Sequence, residues 1–281
     1  MQQGGGPPFH NGGTGELSSI ANAQNPPTNS HIQTAYDGEV AYITLHNPPV
    51  NVIDFPMIAQ IKAFLEPLRV EKRLCAIAFQ AAGDIFSAGV DIQAHLPASV
   101  HSMIREFHSV FELLDELSAP TVALVQGQCL GGACELAGYM DVVIATENAR
   151  FGLPEIKLGV FPPVAAAVFP QRFRFQSAMQ MLFTGEVIEP SAAVRVGLVS
   201  RLVTEADAEI ALQDLLRSFR AKSATSLRLL KKATVQARGM TFREMIAAAE
   251  QVYLKDLIAT PDAEEGLRAF LEKRDASWSH G

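Results

Sequence analysis

Residues 121–145 read TVALVQGQCLGGACELAGYMDVVIA, and they indicate the fold class more clearly than any other part of the chain. The opening TVALV is a short apolar run rich in β-branched residues, which predicts a buried strand. Residues 127–139 predict a glycine-rich turn that runs into a helix. The apolar run DVVIA at residues 141–145 predicts a second strand. A strand, a helix and a strand in immediate succession indicate the α/β class.

The same alternation extends toward the N-terminus. Residues 39–46 (EVAYITLH) alternate as a strand does, and the Asn-Pro-Pro that follows ends it. Residues 57–68 carry apolar side chains at helical spacing, with Asp54 as the expected N-cap, and residues 74–79 (LCAIAF) predict another buried strand. A long helix follows, since one apolar stripe is formed by Met103, Phe107, Val110, Leu114 and Leu117.

Composition divides the chain into three regions. Residues 1–30 are rich in Gly, Pro, Asn and Ser and predict a flexible tail. Residues 31–206 hold the alternating strands and helices. Residues 207–281 contain only helical patterns, and the Thr-Pro-Asp at residues 260–262 predicts the start of one of these helices. We therefore expect an α/β core followed by a helical C-terminal region.

Composition and charge exclude several classes of protein. The 281 residues are 48% hydrophobic and 19% charged, which suits a folded protein with a sizeable core. The formal net charge of -7 opposes general nucleic-acid binding. No apolar run approaches the roughly 18 to 20 residues that cross a bilayer, and residues 1–30 have no cationic, apolar leader. We expect a soluble, cytoplasmic protein that binds neither nucleic acid nor membrane.

The three cysteines do not predict a metal site. None of them forms a CxxC pair, and no histidine cluster lies near Cys129 and Cys134 to complete a set of ligands. We therefore expect small buried thiols and no bound metal.

Two glycine-containing loops expose backbone that could bind a ligand. In residues 86–93 (FSAGVDIQ), Gly89 permits a tight bend that would direct the N–H of Val90 into a cleft. Gly131 and Gly132 lie where a helix begins, and free N–H groups at a helix N-terminus can stabilise an oxyanion. These glycines match neither the dinucleotide-binding motif nor the P-loop, so nucleotide binding is not expected.

Glu135 and Glu155 are the candidate acid and base. Glu135 follows the residues GGAC, and Glu155 lies within FGLPEIKLG, so both carboxyl groups have apolar neighbours. If both are buried in one cleft, their pKa values rise and they can act as an acid/base pair. If each is half-exposed, neither needs a catalytic role. The residues alone leave both interpretations open.

Three segments together resemble the crotonase superfamily of enoyl-CoA hydratases and isomerases. They are FSAGVDI from residue 86, QGQCLGGACELA from residue 126 and FGLPEIKLGVFP from residue 151. The interval of twenty residues between Glu135 and Glu155 equals that between the family's catalytic glutamates. The resemblance, which runs from about residue 32 to about residue 278, implies strand-strand-helix turns that form two roughly perpendicular sheets. It also implies C-terminal helices that build a homotrimer or a dimer of trimers.

The resemblance implies roles for individual residues in binding an acyl-CoA thioester. The N–H groups of Val90 and Gly132 would hold its carbonyl oxygen, while Glu135 and Glu155 would hold one water molecule over its double bond. Gln93 stands where many members carry lysine. No cofactor is implied, because coenzyme A is part of the substrate. The further substrate-binding residues that the resemblance implies are Ala88, Asp91, Ile92, Gln93, Gly131, Phe161 and Pro162.

Within the family, two segments resemble enzymes that hydrate a cyclic dienoyl-CoA. They are NPPVNVIDFPM from residue 47 and GVFPPVA from residue 159. Enzymes of this kind act on cyclohexa-1,5-diene-1-carbonyl-CoA in anaerobic degradation of aromatic compounds through benzoyl-CoA. Phe161 and Pro162 would then form walls for a flat ring. A straight-chain 2-enoyl-CoA hydratase and a catalytically silent acyl-CoA-binding protein remain as alternatives.

Overall fold

The computed structural model describes residues 30–236 and 240–281, so residues 1–29 of the expected tail lie outside the described residues. The described strands are β1 (Ile32–Tyr36), β2 (Val40–Leu45), β3 (Ala76–Ala81), β4 (Thr121–Val125), β5 (Gln128–Leu130), β6 (Val142–Thr146), β7 (Arg150–Gly152), β8 (Val187–Ile188) and β9 (Arg201–Val203).

The described helices are α1 (Phe55–Leu65), α2 (Val100–Leu117), α3 (Gly132–Tyr139), α4 (Pro163–Arg172), α5 (Phe175–Thr184), α6 (Pro190–Val196), α7 (Ala208–Arg220), α8 (Ala224–Gln236), α9 (Phe242–Gln251) and α10 (Pro261–Glu272). Short 3-10 turns occur at Glu66–Val70, Ile92–His95 and Pro154–Leu158, and a π-helical turn occurs at Val252–Leu257.

The strands form two sheets. The larger sheet has the order β1-β2-β3-β4-β6-β9, in which β1 and β2 are antiparallel and the other neighbours are parallel. The smaller sheet has the order β5-β7-β8. Along the chain, β4 and β5 are followed by α3, and β6 and β7 are followed by α4. Each of these two strand-strand-helix units therefore contributes one strand to the larger sheet and one to the smaller sheet. The predicted α/β class with strand-strand-helix turns is confirmed.

Helices cover both faces of the larger sheet, which explains its continuous apolar strands. All five residues of β4 are buried. Ile77 and Phe79 belong to a core with α1, α2 and α3, while Val122 and Leu124 belong to a second core with α7. A parallel strand between two helical layers has no face for water, and its sequence is therefore apolar throughout.

The main strands and helices lie where the sequence predicts them. Asp54 caps α1, since its carboxylate accepts the N–H of Met57 at 2.9 Å. The helix expected to reach residue 68 ends at Leu65, because the chain tightens into the 3-10 turn Glu66–Val70. The sequence did not predict β1 or the short strands β5, β7, β8 and β9.

The described part of residues 207–281 contains helices and no strand. Thr260 caps α10 by accepting the N–H of Ala263, and Pro261 occupies its first position. None of the helices built by the described residues combines the length and apolar character needed to cross a membrane. The boundaries at residues 30 and 206 stay predictions.

Candidate active site

The segment at residues 86–91 pairs on one side with the short strand β5. Ser87 donates its N–H to the carbonyl oxygen of Gln128 at 2.9 Å, and its own carbonyl oxygen accepts the N–H of Leu130 at 3.1 Å. The Ser87 hydroxyl accepts the N–H of Gly89 at 3.0 Å and so fixes the bend. These bonds hold the loop beside the start of α3.

On its other side the same segment pairs with residues 50–53. Ala88 donates its N–H to Val50 at 2.9 Å, Ile53 donates to Gly89 at 2.9 Å, and the N–H of Asp91 reaches the carbonyl oxygen of Ile53 at 3.1 Å. The segment is therefore fixed along two edges by backbone hydrogen bonds.

Gly89 and Gly132 bring the two loops into contact. Gly89 has φ of +105°, and a Cβ there would lie 2.8 Å from the carbonyl oxygen of Leu130 and 3.6 Å from the nitrogen of Gly132. A Cβ on Gly132 would lie 2.5 Å from Cγ2 of Val90. Only glycine permits this approach. The backbones that carry the N–H groups of Val90 and Gly132 are thereby neighbours.

These two N–H groups can receive a ligand oxygen. Gly132 is the first residue of α3, where an N–H has no partner within the helix. Within residues 30–236 and 240–281, neither this N–H nor that of Val90 donates to a protein acceptor. Two N–H groups on adjacent segments, one at a helix N-terminus, are the donors that an oxyanion needs.

Glu135 lies in the first turn of α3, and the N-terminus of α4 holds its carboxylate. The residue is 3% exposed, and its Oε1 accepts the N–H of Ala165 at 2.9 Å. Burial raises the pKa of Glu135 to about 7, and the negative charge of Glu155 adds to this rise. Hydrogen bonds from Ala165 and Val164 oppose the rise only in part. Glu135 therefore exchanges its proton near neutral pH.

Glu155 lies in the 3-10 turn Pro154–Leu158, with its carboxylate against Gly131. A Cβ on Gly131 would lie 2.8 Å from Oε1 of Glu155, so the glycine leaves room for this carboxylate. Its Oε2 is buried and has no hydrogen-bond partner among the described residues. Burial raises the pKa of Glu155, and the hydrogen bond from its own backbone N–H and then the charge of His95 oppose this rise only in part.

The two carboxyl groups form an interacting pair beside the free N–H groups. The carboxylate of Glu155 lies against Gly131, whose carbonyl oxygen accepts the N–H of Glu135 at 3.0 Å, so the two acids lie about one helical turn apart. The negative charge of Glu155 contributes to the raised pKa of Glu135. Buried carboxyls that share a site do not ionise together, so one proton can stay within the pair near neutral pH. The arrangement suits proton transfer next to a bound carbonyl group.

The profile of the enoyl-CoA hydratase/isomerase family matches residues 35–281. The chain belongs to this family. Cyclohexa-1,5-dienecarbonyl-CoA hydratase of Thauera aromatica is 33% identical over 244 residues, which are 87% of this chain and 94% of the relative. A probable enoyl-CoA hydratase of Mycobacterium bovis is 30% identical over 247 residues, 87% of this chain and 96% of the relative.

A solved structure shows the same fold. The crystal structure of an enoyl-CoA hydratase from Mycobacterium smegmatis matches with a TM-score of 0.83, covering 89% of this chain and 99% of that one at 24% identity. Membership of the enoyl-CoA hydratase/isomerase family identifies the chain as an enzyme, a hydro-lyase of the enoyl-CoA hydratase type.

The other predicted site residues of this family member lie around the two loops. Asp91 is half-buried, and its carboxylate accepts the N–H of Gln93 at 2.9 Å. Ala88, Ile92 and Gln93 are exposed. Gly131 is buried under Glu155.

Phe161 and Pro162 follow the turn of Glu155 and differ in burial. Pro162 is buried and occupies the N-cap of α4, the helix whose N-terminus holds Glu135. Phe161 is 64% exposed. Pro162 therefore has a fixed place in the fold, whereas the ring of Phe161 is available for contact.

Asn51 is a residue that the sequence analysis missed. It is 3% exposed, adopts φ of +50°, and its Nδ2 donates to the carbonyl oxygens of Ala82 at 2.9 Å and Ile85 at 3.1 Å. Its Oδ1 accepts the N–H of Asn47 at 2.9 Å. Asn51 thus joins residues 47–53 to the chain that leads into the Val90 loop. An asparagine soon after Pro-Pro, here with Val50 between them, is a common turn residue, so nothing local indicates this role.

His95 is the second residue that was missed. It lies four residues beyond Asp91, whose carbonyl oxygen is 2.9 Å from its Nδ1, and a positive charge on its ring would lower the pKa of Glu155. The segment DIQAH contains no spacing that predicts an interaction with a residue sixty positions later. Among the described residues, no group of three or more His, Cys, Asp or Glu side chains could hold a metal ion.

Proposed function

We propose that this hydro-lyase adds water to cyclohexa-1,5-diene-1-carbonyl-CoA, in anaerobic degradation of aromatic compounds through benzoyl-CoA. One observation supports a hydration reaction. The two acids Glu135 and Glu155 lie beside the backbone N–H groups of Val90 and Gly132, which can bind the thioester oxygen. The choice of the cyclic substrate is supported by the relative from Thauera aromatica, which is named cyclohexa-1,5-dienecarbonyl-CoA hydratase.

In the proposed reaction, the N–H groups of Val90 and Gly132 bind the thioester carbonyl oxygen. Their hydrogen bonds strengthen as negative charge moves onto this oxygen during attack by water, so they stabilise the transition state more than the bound substrate. The donors need no reorganisation, since backbone hydrogen bonds on two sides already hold the Val90 loop.

Glu135 and Glu155 move the protons. One carboxylate takes a proton from water as the water oxygen bonds to a ring carbon, and the protonated partner delivers a proton to a second ring carbon. The product is a hydroxycyclohexene carbonyl-CoA, and the pair again holds one proton after exchange between its members. The balance requires only water and the thioester, so we propose that no cofactor or metal takes part.

The remaining predicted residues would bind the substrate on either side of this centre. We propose that Phe161 and Pro162 bound the flat ring, because Pro162 is fixed at the N-cap of α4 and the exposed Phe161 offers an aromatic face. The nucleotide and pantetheine parts of coenzyme A would lie along the loop formed by Ala88, Asp91, Ile92 and Gln93, with Gly131 beneath the acyl group.

A straight-chain 2-enoyl-CoA is the second candidate substrate. The relative from Mycobacterium bovis, a probable enoyl-CoA hydratase, favours it at 30% identity. The same two glutamates and N–H donors would serve both reactions, so the difference lies in the shape of the acyl pocket.

We also propose a cytoplasmic homotrimer or dimer of trimers. Phe242, Tyr253, Leu254, Phe270 and Leu271 on the C-terminal helices and turn are exposed apolar side chains, which an interface between copies would cover. Light scattering should give about three or six times the chain mass of 30.4 kDa. A mass equal to one chain would contradict the proposal.

The test of the substrate is a parallel assay of the purified protein with cyclohexa-1,5-diene-1-carbonyl-CoA and crotonyl-CoA, following product mass. We expect a preference for the diene, and a loss of about 10²-fold to 10⁴-fold in kcat/KM for both Glu135→Gln and Glu155→Gln. Preference for crotonyl-CoA would select the straight-chain reaction. Binding of both thioesters without turnover would indicate a silent acyl-CoA-binding protein.

A further inference from the structure

Helices α3 and α4 contact each other at three levels along their length. At their starts, Oε1 of Glu135 accepts the N–H of Ala165 at 2.9 Å. In the middle, Phe169 lies so close to Gly138 that a Cβ on this glycine would be 2.4 Å from Cζ of the ring. At their ends, Arg172 reaches the last carbonyl groups of α3. The contacts are three or four residues apart on each helix, so one face of α4 lies along one face of α3.

Arg172 caps the C-terminus of α3 from the neighbouring helix. Its Nη1 donates to the carbonyl oxygens of Gly138 and Met140, both at 3.4 Å, and to that of Tyr139. The last carbonyl groups of a helix have no partner within it and carry the negative end of its dipole, so a guanidinium stabilises them. The guanidinium also lies 4.7 Å from the centroid of the Tyr139 ring, and the hydroxyl of this ring donates to Asp115 at 3.1 Å.

The start of α4 has no comparably permanent anchor. Pro162 occupies its N-cap and offers no side-chain acceptor, while Ala165 in its first turn donates to Glu135. An acid that transfers protons changes its charge, and a protonated carboxyl group accepts hydrogen bonds more weakly than a carboxylate. A guanidinium stays charged at every working pH. Arg172 therefore joins α4 to α3 in a way that proton transfer at Glu135 does not alter.

We propose that Arg172 is a positioning residue for Glu135: by binding the C-terminus of α3, it holds α4 in register, with the N–H of Ala165 against the Glu135 carboxyl group. This inference rests on the proposed function, because Glu135 is one of the two acids of that reaction. Arg172 lies seven residues beyond Ala165 on the same helix, about 10 Å along its axis. It acts on Glu135 through α4.

A second buried cation at the same corner of the fold provides a matched control. Lys231 on α8 forms an ion pair with Asp141 at 2.7 Å and donates to the carbonyl oxygen of Ala119 at 2.8 Å. The same carboxylate accepts the N–H of Thr121 at 2.8 Å. These bonds join α8 to the chain on either side of β4 and directly after α3, and none of the three partners belongs to α4. Loss of Lys231 should therefore lower stability without moving α4.

The test is a carbon-13 NMR titration of the glutamate side-chain carboxyl groups, with Glu135→Gln to identify the Glu135 signal. In Arg172→Met, which removes every donor, we expect Glu135 to titrate about 1 pH unit higher, because hydrogen bonds from the start of α4 favour its ionised form. Arg172→Lys keeps a cation and should restore most of the wild-type titration. Lys231→Met should leave the Glu135 titration unchanged.

An unshifted Glu135 signal in folded Arg172→Met would overturn the proposal. So would an equal shift in Lys231→Met, since it would indicate a general loosening of the fold. If circular dichroism shows that Arg172→Met does not fold, Arg172→Gln takes its place, because its amide can still donate to one carbonyl group. The same upward shift is then expected, and its absence has the same consequence.

Turnover gives a separate readout. Arg172→Met should lower kcat by about 10-fold to 10²-fold and change KM by less than about threefold, since Glu135 is misplaced while the contacts to the thioester remain. In a Glu135→Gln background, Arg172→Met should lower kcat by less than about threefold, because the group that it positions is absent. Full additivity of the two substitutions would contradict an action through Glu135. Wild-type protein that turns over neither thioester would contradict the proposed function, and the carboxyl titration would still decide the role of Arg172.

Discussion

Glu135 connects the chemistry of the site to the stability of the fold. Its apolar neighbours in sequence suggested burial, and in the structure the N-terminus of α4, thirty residues away, contacts the buried carboxyl group. Helix N–H groups favour the ionised form, whereas desolvation favours the protonated form. Desolvation prevails here, and the pKa of Glu135 rises to about 7.

Glu135→Gln is expected to be more stable than the wild type at about pH 8, despite its loss of activity. Between the ordinary pKa of 4.5 and about 7, native Glu135 holds a proton that the unfolded chain has released, so wild-type stability falls as pH rises through this window. The accumulated loss is up to about 3 kcal/mol. Glutamine is neutral at every pH and can still accept the N–H of Ala165.

Urea unfolding at about pH 8 and about pH 4 measures this difference. The variant should gain stability at the higher pH and match the wild type at the lower one, where Glu135 is protonated in both states. If Glu135→Gln were less stable than the wild type at the higher pH, the ionised carboxylate of Glu135 would not destabilise the folded state, and the prediction would be wrong.

The elements of the site differ in how well the sequence predicted them. Helices α1 and α2 and strand β4 were predicted because each has enough residues for a periodic or continuous apolar pattern. Strands β5 and β7 have three residues each, and β8 has two. Such strands exist through backbone pairing with distant segments, which leaves no pattern in their side chains. The glycine turn before α3 was therefore expected, and the strand β5 inside it was not.

The contact between the Val90 loop and the start of α3 is the element that Gly132→Ala would disturb. The added methyl group would lie 2.5 Å from Cγ2 of Val90 and 3.1 Å from Cζ of Phe107, so the helix and the loop must separate. We expect kcat to fall by about 10²-fold to 10³-fold, because the N–H groups of Val90 and of position 132 could no longer bind the same substrate oxygen. Turnover assays and circular dichroism would measure the effect on rate and on folding.

The double variant Val90→Ala/Gly132→Ala is the control for this change. It removes Cγ2 of Val90, the closest atom, and should recover part of the lost rate while leaving the backbone donor at position 90. An unchanged kcat in Gly132→Ala would mean that this approach is not needed for catalysis.

At the scale of the whole molecule, the last residues join the C-terminal helices. Asp262, in the first turn of α10, is 1% exposed and accepts the N–H and the hydroxyl of Ser279, both at 2.7 Å. The N–H of His280 donates to it at 3.0 Å, and Nδ1 of His280 accepts the N–H of Ala224, the first residue of α8, at 3.1 Å. Asp262 thus links α10 to the start of α8.

Asp262→Ala should destabilise the protein by about 2 to 4 kcal/mol at neutral pH, because the donors of Ser223, Ser279 and His280 lose a charged acceptor. Burial raises the pKa of Asp262, but hydrogen bonds from Ser223, Ser279 and His280 outweigh it and hold the pKa below its usual 3.8. The stabilisation is therefore present at neutral pH and lost as pH falls through that low pKa. Urea unfolding should show a gap between variant and wild type that narrows in acid.

Asp256→Ala is the matched control, because Asp256 forms an exposed ion pair with Lys232. Its effect should stay within about 1 kcal/mol. Equal effects of the two substitutions would show that the link through Asp262 is not needed for the stability of the C-terminal helices.

The sequence by itself determined the α/β class, the main strands and helices, the glycines of both loops, and Glu135 and Glu155 as the candidate acids. Each of these follows from residue type and from spacings of a few positions, which local sterics and apolar periodicity fix. Only the tertiary structure decided that Asn51 holds the Val90 loop, that the N-terminus of α4 contacts Glu135 and that Asp262 holds the C-terminus. These depend on which distant groups meet and how much water remains around them, and both are set by packing of the whole chain rather than by neighbours in sequence.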